Sequence, residues 1–311
     1  MDITGGVTFT GGLSIAGPPP SSYKAIFGYG TIDGSASQSM TNLVSDTGVV
    51  ATDTTGVGTA RQYLAAAGYG TDKAIFGYGS NPSIGKVSMT NKVSNTGVVA
   101  TDTTGVGTAR SELAAAGYGT DKAIFGYGVD GSGYGVSMTN LVSNTGVAAT
   151  DTSGVGTVRY ALAAAGYGTT KAIFGYGQNN SGTNVSITNL VSNTGVVATD
   201  TTGVGTARGY LAAAGYGTDK AIFGYGTTGS TTAITNKVSN TGVVATDTTG
   251  VGTARQKLAA AGYSTDKAIF GYGSPTTAIT NLVSNTGVVA TDTTGVGTAR
   301  SALAAASYGL S

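Results

Sequence analysis

The sequence contains no cysteine, no histidine and no tryptophan, and only 10% of its 311 residues are charged. Without cysteine, neither disulfide bonds nor thiolate metal sites can form. The formal net charge of +1 argues against a surface that binds nucleic acid or an anionic membrane. The sequence therefore predicts no metal site, no cofactor and no nucleic-acid partner.

Long apolar runs are also absent. No stretch approaches the roughly 20 consecutive apolar residues of a membrane-spanning helix. The N-terminal residues MDITGGVTFTGG contain no basic segment followed by an apolar core, so we expect no secretory signal. Insertion into a membrane is not predicted.

Residues suited to catalysis are few. Glu112 is the only glutamate, and histidine and cysteine are unavailable as base and nucleophile. A glycosidase would need two acids at unique positions, whereas most aspartates recur with the repeats described below. We predict that the chain is not an enzyme, and a glycan-active enzyme is the least favoured alternative.

The chain is built from six copies of one repeat. The motif KAIFGYG begins at Lys24, Lys73, Lys122, Lys171, Lys220 and Lys267. Its intervals are 49 residues four times and then 47. Because a periodic chain buries its core between neighbouring repeats, we predict a single domain over residues 23–311. Residues 1–22 match no repeat and are interpreted as an attachment arm, although a disordered tail explains the same sequence.

Each repeat is predicted to hold four antiparallel strands. In the repeat over residues 108–157, the strands are TARSELAAAGYG, KAIFGYG, SMTNLVS and VAATDTSG. The Gly-Thr-Asp and Asn-Thr-Gly segments between them suit tight hairpin turns. Such units fit a propeller or an open solenoid, and a period near 49 residues favours the propeller, since solenoid rungs usually have roughly 20–30 residues. The small residues 114–117 predict that the first strand is innermost.

The order of these features resembles the kelch repeat. Arg110 precedes the small apolar strand, a second apolar strand follows at residues 123–125, and Gly126 and Gly128 stand where that family has its double glycine. Tyr127 separates the two glycines, and the family's outer tryptophan is missing. The resemblance covers about residues 23–311 and implies an all-β fold, a six-bladed kelch-like β-propeller. The repeats also resemble those of bacteriophage tail and appendage proteins.

The two ends of the chain each hold part of one repeat. The first KAIFGYG has no preceding LAAAGYG strand, whereas the C-terminus carries LAAASYG without a partner. We predict that this C-terminal strand joins the first blade and closes the ring, which would also remove an exposed sheet edge.

An aspartate and an arginine recur eight residues apart in all six repeats. They are Asp53 and Arg61, Asp102 and Arg110, Asp151 and Arg159, Asp200 and Arg208, Asp247 and Arg255, and Asp292 and Arg300. A ring of charges around one mouth could bind a ligand. We favour structural ion pairs that fix each blade connection, because active sites rarely need six equivalent copies.

Two zones differ between the repeats and are predicted to meet at one mouth of the ring. One is the loop after the second strand, and the other is the residue pair that follows each arginine. Tyrosine with asparagine, serine and glycine is typical of adaptable recognition surfaces, although surface loops also drift freely. The candidate partner-binding residues are Tyr63, Glu112, Asp130, Tyr134, Tyr160, Asn179, Asn180, Tyr210 and Lys257.

The favoured interpretation of function is a non-enzymatic structural or adhesion protein of a phage virion, in its tail or an appendage. Residues 1–22 would dock onto other virion proteins, and the variable mouth would contact a host surface glycan or a neighbouring subunit, in an oligomeric particle. The alternative is a free bacterial propeller that binds carbohydrate or protein.

Overall fold

The computed structural model describes residues 23–309, and this part of the chain is all-β, without a helix. Accordingly, no described segment forms a helix that could cross a membrane. The arm predicted for residues 1–22 lies outside the described residues. Six three-stranded antiparallel sheets follow the six repeats, and their arrangement is propeller-like.

Each sheet has an inner, a middle and an outer strand. The inner strands are β3 (Ala65–Tyr69), β9 (Ala114–Tyr118), β13 (Ala163–Tyr167), β16 (Ala212–Tyr216), β19 (Ala259–Gly262) and β22 (Ala304–Ser307). The middle strands are β1 (Tyr23–Gly28), β4 (Lys73–Gly77), β10 (Lys122–Gly126), β14 (Lys171–Gly175), β17 (Lys220–Gly224) and β20 (Ala268–Gly273). The outer strands are β2 (Thr41–Ser45), β7 (Thr90–Val93), β12 (Thr139–Val142), β15 (Thr188–Val191), β18 (Thr235–Val238) and β21 (Thr277–Val283).

Four two-residue strands lie at the connections. They are β5 (Ser80–Asn81), β6 (Gly85–Lys86), β8 (Arg110–Ser111) and β11 (Val129–Asp130). The β5–β6 pair lies within one variable loop. The β8–β11 pair joins the residues after an arginine to a variable loop, so the two variable zones lie side by side.

The hairpin between inner and middle strands follows from its turn residues. In the third sheet Lys122 pairs with Tyr118 and Gly126 with Ala114. Gly119 and Thr120 in the turn both have positive φ, 62° and 72°. At the other end of the middle strand, a Cβ added to Gly126 would lie 2.8 Å from Cζ of Phe174 in the next sheet. Glycine is needed there because neighbouring sheets approach so closely.

The fourth strand predicted for each repeat is not a regular strand. In the third sheet its segment contacts the outer strand only through isolated bridges, Val142 with Ala148 and Thr139 with Thr152. Between these two bridges the outer strand advances three residues and the following segment advances four. One extra residue therefore interrupts the ladder. The Asn140 side chain donates from Nδ2 to the Ala149 carbonyl at 3.0 Å in this gap.

The core lies between consecutive sheets. Each of six clusters of buried side chains draws its members from two adjacent repeats. Alanines of the inner strands lie beside isoleucine and phenylalanine of the middle strands, and the phenylalanines and isoleucines are fully buried. Small inner residues therefore allow the sheets to converge, as predicted from their size.

The inner strands also contact one another in sequence, and the last one contacts both β19 and β3. The C-terminal strand β22 pairs with the N-terminal strand β1, with Ala305 opposite Phe27 and Ala306 opposite Ile26. One sheet is therefore assembled from both ends of the described chain, in the order β2-β1-β22.

Candidate functional site

The six repeated arginines are fully buried between consecutive sheets. Each guanidinium lies over a tyrosine ring of the preceding sheet, 4.5–4.9 Å from its centroid. Each also donates from one terminal nitrogen to the side-chain oxygen of an outer-strand asparagine, at 2.5–2.7 Å. The asparagines are Asn42, Asn91, Asn140, Asn189, Asn236 and Asn281, and all are fully buried.

The aspartate that faces each arginine comes from the following repeat, not from eight residues away. Arg61 lies 3.4 Å from Asp102, and Arg300 lies 3.4 Å from Asp53, so the last repeat contacts the first. The remaining four pairs have separations of 3.4–3.9 Å. These twelve residues therefore form contacts between neighbouring sheets.

Hydrogen bonds hold each of these aspartates in its ionised form. Asp102 accepts from Thr59 N at 2.9 Å, from Thr59 Oγ1 at 2.7 Å and from Asn91 Nδ2 at 2.9 Å. Partial burial raises the pKa of Asp102, but these hydrogen bonds and the charge of Arg61 outweigh it and leave the pKa below its usual value. The charges of these arginines and aspartates are therefore paired between neighbouring sheets, while Nε of Arg61, Arg110, Arg159 and Arg300 donates no hydrogen bond within the described residues.

Two cavities lie at opposite ends of the inner strands. The larger, about 310 Å³, is lined by the repeated hairpin turns, including Tyr69, Thr71 and Lys73 and their equivalents. The smaller, about 70 Å³, lies where the inner strands begin, and its lining differs from repeat to repeat. Its floor consists of six nearly buried leucines, namely Leu64, Leu113, Leu162, Leu211, Leu258 and Leu303.

A closed cycle of six backbone hydrogen bonds surrounds the smaller cavity. Glu112 N donates to Tyr63 O, and the pattern repeats from each repeat to the one before it until Tyr63 N donates to Ala302 O. The bond lengths are 2.8–2.9 Å. The six residues of the cycle, Tyr63, Glu112, Ala161, Tyr210, Lys257 and Ala302, all have positive φ of 52–55°. This left-handed conformation aligns each amide with the carbonyl of its neighbour.

Side chains of the cycle form a cluster over the cavity, here called the mouth cluster: Tyr63, Glu112, Tyr210 and Lys257. The Tyr210 hydroxyl donates to Glu112 Oε2 at 3.0 Å, and Lys257 Nζ donates to the Tyr63 hydroxyl at 2.9 Å. Lys257 Nζ also lies 5.3 Å and 5.1 Å from the two ring centroids. The two rings are 6.4 Å apart, so they meet across the mouth.

The order of the cycle explains this geometry. Tyr63 and Tyr210 are three positions apart, as are Glu112 and Lys257, so each pair faces across the mouth. Ala161 separates Glu112 from Tyr210, and Ala302 separates Lys257 from Tyr63. Each polar contact therefore bridges a gap that a short alanine side chain leaves.

The mouth cluster is also electrostatically distinct. Burial raises the pKa of the Glu112 carboxyl, opposed by the hydrogen bond from Tyr210 and the charges of Lys257 and Lys86. Burial and the adjacent Glu112 carboxyl raise the pKa of Tyr210. Perturbed carboxyl and hydroxyl groups beside a cavity are typical of binding sites, and also of buried networks.

The other candidate residues lie outside this cluster. Asp130 accepts from Ser132 N at 2.9 Å, and Asn179 accepts from Ser181 N at 3.0 Å, so both shape their own loops. Asn180 Oδ1 accepts from Gly135 N at 2.6 Å and links two neighbouring loops. Tyr134 is 66% exposed on its loop.

Tyr160 occupies the position before the cycle and forms a bridge with Gln178. Sequence reasoning missed the six leucines of the floor and the six asparagines that hold the arginines. The recurring TN dipeptide of the third strand was the available signal for the asparagines.

Comparison of the chain with protein-family models gives no match, and neither does comparison with curated proteins. Within residues 23–309, no three His, Cys, Asp or Glu side chains come together as a metal site would require.

Proposed function

We propose that the chain is a six-bladed β-propeller, closed by its C-terminal strand, that acts as a non-enzymatic recognition module. The mouth cluster would bind a glycan on a host surface. The observation that carries this proposal is the mouth cluster itself, in which two tyrosines, a glutamate and a lysine are joined over a cavity inside a framework of near-identical repeats. Two aromatic rings with adjacent polar groups are suited to a sugar, which has both apolar faces and hydroxyls.

The closed sheet order supports the ring. The boundary between the two ends has the same contacts as the other repeat boundaries. There β22 pairs with β1 and contacts both β19 and β3, and Arg300 forms an ion pair with Asp53. Such a ring would leave the near-identical hairpins as scaffold and the variable zones as the specific surface.

The resemblance to phage appendage repeats extends the proposal to a virion. Residues 1–22 would attach the propeller to another virion protein and leave the mouth cluster free to contact the host. A chain that begins at residue 23 should fold and bind like the full chain but fail to enter particles. Particles that incorporate both chains equally would contradict this attachment role.

Glycan binding is tested on a glycan array with the full chain and the double variant Tyr63→Ala and Tyr210→Ala. Alanine already occupies the equivalent left-handed positions 161 and 302, so the backbone cycle accommodates the change. We expect the full chain and the control Tyr134→Ala to bind the same glycans, and the double variant to lose them. Equal binding by all three proteins would refute the role of the mouth.

A further inference from the structure

The mouth cluster leaves specific polar atoms without a protein partner. Glu112 Oε2 accepts from Tyr210, but among the described residues Oε1 accepts no hydrogen bond. Lys257 Nζ donates one hydrogen bond, to Tyr63, which leaves two N–H groups. An unfilled acceptor and unfilled donors therefore face each other across the mouth, because Glu112 and Lys257 are three positions apart in the six-residue cycle.

The cavity beneath them admits only a small apolar group. Its volume is about 70 Å³, whereas pockets that enclose a whole drug-sized ligand have roughly 300–1,000 Å³. The floor is made of leucine side chains, so a polar substituent placed there would lose its hydrogen bonds.

One substituent of common glycans combines these features. An acetamido group has an N–H donor on one side, a C=O acceptor on the other and a methyl group at its end. We propose that the mouth cluster recognises glycans through the acetamido group of an N-acetylated amino sugar. Glu112 Oε1 accepts from the amide N–H, Lys257 Nζ donates to the carbonyl oxygen, and the methyl group enters the cavity floored by leucine. The sugar ring remains outside, against the tyrosines.

Other substituents fit less well. A carboxylate would pair with Lys257 but face the oxygens of Glu112. A hydroxyl pair could satisfy both polar side chains but would leave the apolar cavity unfilled. The free ammonium of a deacetylated amino sugar would suit Glu112 and oppose Lys257. This assignment rests on the proposed glycan-binding function.

The test compares the affinity of the full chain for N-acetylglucosamine, glucosamine, glucose and N-propionylglucosamine, each presented at the end of the same oligosaccharide. We expect the acetylated sugar to bind at least about tenfold more tightly than the other three, because a site built around polar groups rejects ligands that leave them unpaired. The propionyl group should be rejected through its extra methylene, which the small cavity does not admit.

Two variants assign the contacts. Glu112→Gln keeps the length and an oxygen for Tyr210, and Lys257→Met keeps the length without the ammonium. Each should weaken binding of the acetylated sugar by about tenfold or more, while the control Lys92→Met, on an outer strand, should not. Thermal melting of each variant confirms that the ring is intact.

The outcomes separate the two proposals. Binding of glycans with equal affinity for acetylated and deacetylated ends would overturn the acetamido assignment and leave the glycan-binding function standing. Failure of the full chain to bind any glycan would overturn both. Preference for the acetylated sugar that survives both substitutions would overturn the assigned contacts.

Discussion

At the residue scale, each repeated arginine is fully buried and is surrounded by groups that interact with its charge. Arg110 lies over Tyr78, donates to Asn140 and approaches Asp151, and none of its surface reaches solvent. An uncompensated buried guanidinium would be costly, so each neighbour matters for stability. Asn140 links these groups, because its Nδ2 also donates to Asp151 and to the Ala149 carbonyl in the segment after the outer strand.

We predict that Asn140→Ala lowers the free energy of unfolding by about 1–3 kcal/mol, because it removes one acceptor from Arg110 and leaves buried groups unpaired. Chemical denaturation of the variant and the full chain measures the loss. Thr104→Ala is the control and should change little, because Thr104 is exposed and its side chain has no hydrogen bond with any residue of the described range 23–309. Equal denaturation midpoints for the two variants would show that Asn140 does not stabilise the fold.

The tyrosines beneath the arginines predict a pH dependence. Burial, only partly offset by the arginine, raises the pKa of Tyr29, Tyr78, Tyr127, Tyr176, Tyr225 and Tyr272 to about 12. The unfolded chain loses these protons near pH 10, so the stability they contribute is complete below pH 10 and is lost as pH rises towards 12. We expect cooperative alkaline unfolding in that window. Tyrosinate absorbance measures it, and no tryptophan obscures the signal. Smooth titration of all tyrosines near pH 10 without unfolding would contradict the burial.

At the element scale, the C-terminal strand is the partner of β1. Without it, the Ile26 and Phe27 backbone would become a free sheet edge, and the cluster that contains Ala304 and Ala306 would lose those side chains. Deletion of residues 298–311 also removes Arg300 and Thr298 from Asp53. The structure of the first sheet therefore depends on the last residues of the chain.

We predict that deletion of residues 298–311 lowers stability by more than about 5 kcal/mol and causes self-association through the exposed edge. Thermal melting and the sedimentation profile measure both effects. A chain that lacks only residues 310–311 serves as the control and should behave like the full chain. The pairing would be refuted as a source of stability if the truncated protein stayed monomeric and melted at the same temperature as the full chain.

The sequence predicted the inner hairpin of each repeat correctly, because local turn chemistry determines it. The fourth strand was predicted wrongly, because one inserted residue interrupts its pairing. The hairpin of small and bulky strands is fixed by Gly119 and Thr120 in its turn and by the close approach at Gly126. The fourth strand was not predictable from its alternating pattern, because the extra residue between Ala148 and Thr152 interrupts its pairing.

The same limit applies to the site. Comparison of repeats located the variable positions, including Tyr63 and Tyr210, because they differ where the framework is constant. The partner of each arginine could not be read from spacing, since every repeat carries an identical aspartate and only the packing of sheets selects the following one. The contact of Tyr210 with Glu112 depends on the circular order of residues 98 positions apart.

At the scale of the whole molecule, the proposed ring has a seam between its two ends. Tyr308 N donates to Lys24 O at 2.8 Å, so these residues correspond to Tyr118 and Lys122 of an intact hairpin. In that intact hairpin, two residues besides the glycine complete the turn, Thr120 and Asp121. A short connection at the seam would therefore make the pair β22 and β1 a sixth hairpin, like the five intact ones.

This predicts a functional circular permutant in which Thr-Asp joins Gly309 directly to Lys24 and new termini open between Thr228 and Gly229 in an exposed loop. The permutant should melt within a few degrees of the full chain or above it, because the new join restores a hairpin and shortens the loop that must close. A second permutant opened between Ile222 and Phe223, both fully buried in a middle strand, should fail to fold. If the ends were not adjacent in a closed ring, a two-residue join could not span them, and both permutants would unfold alike.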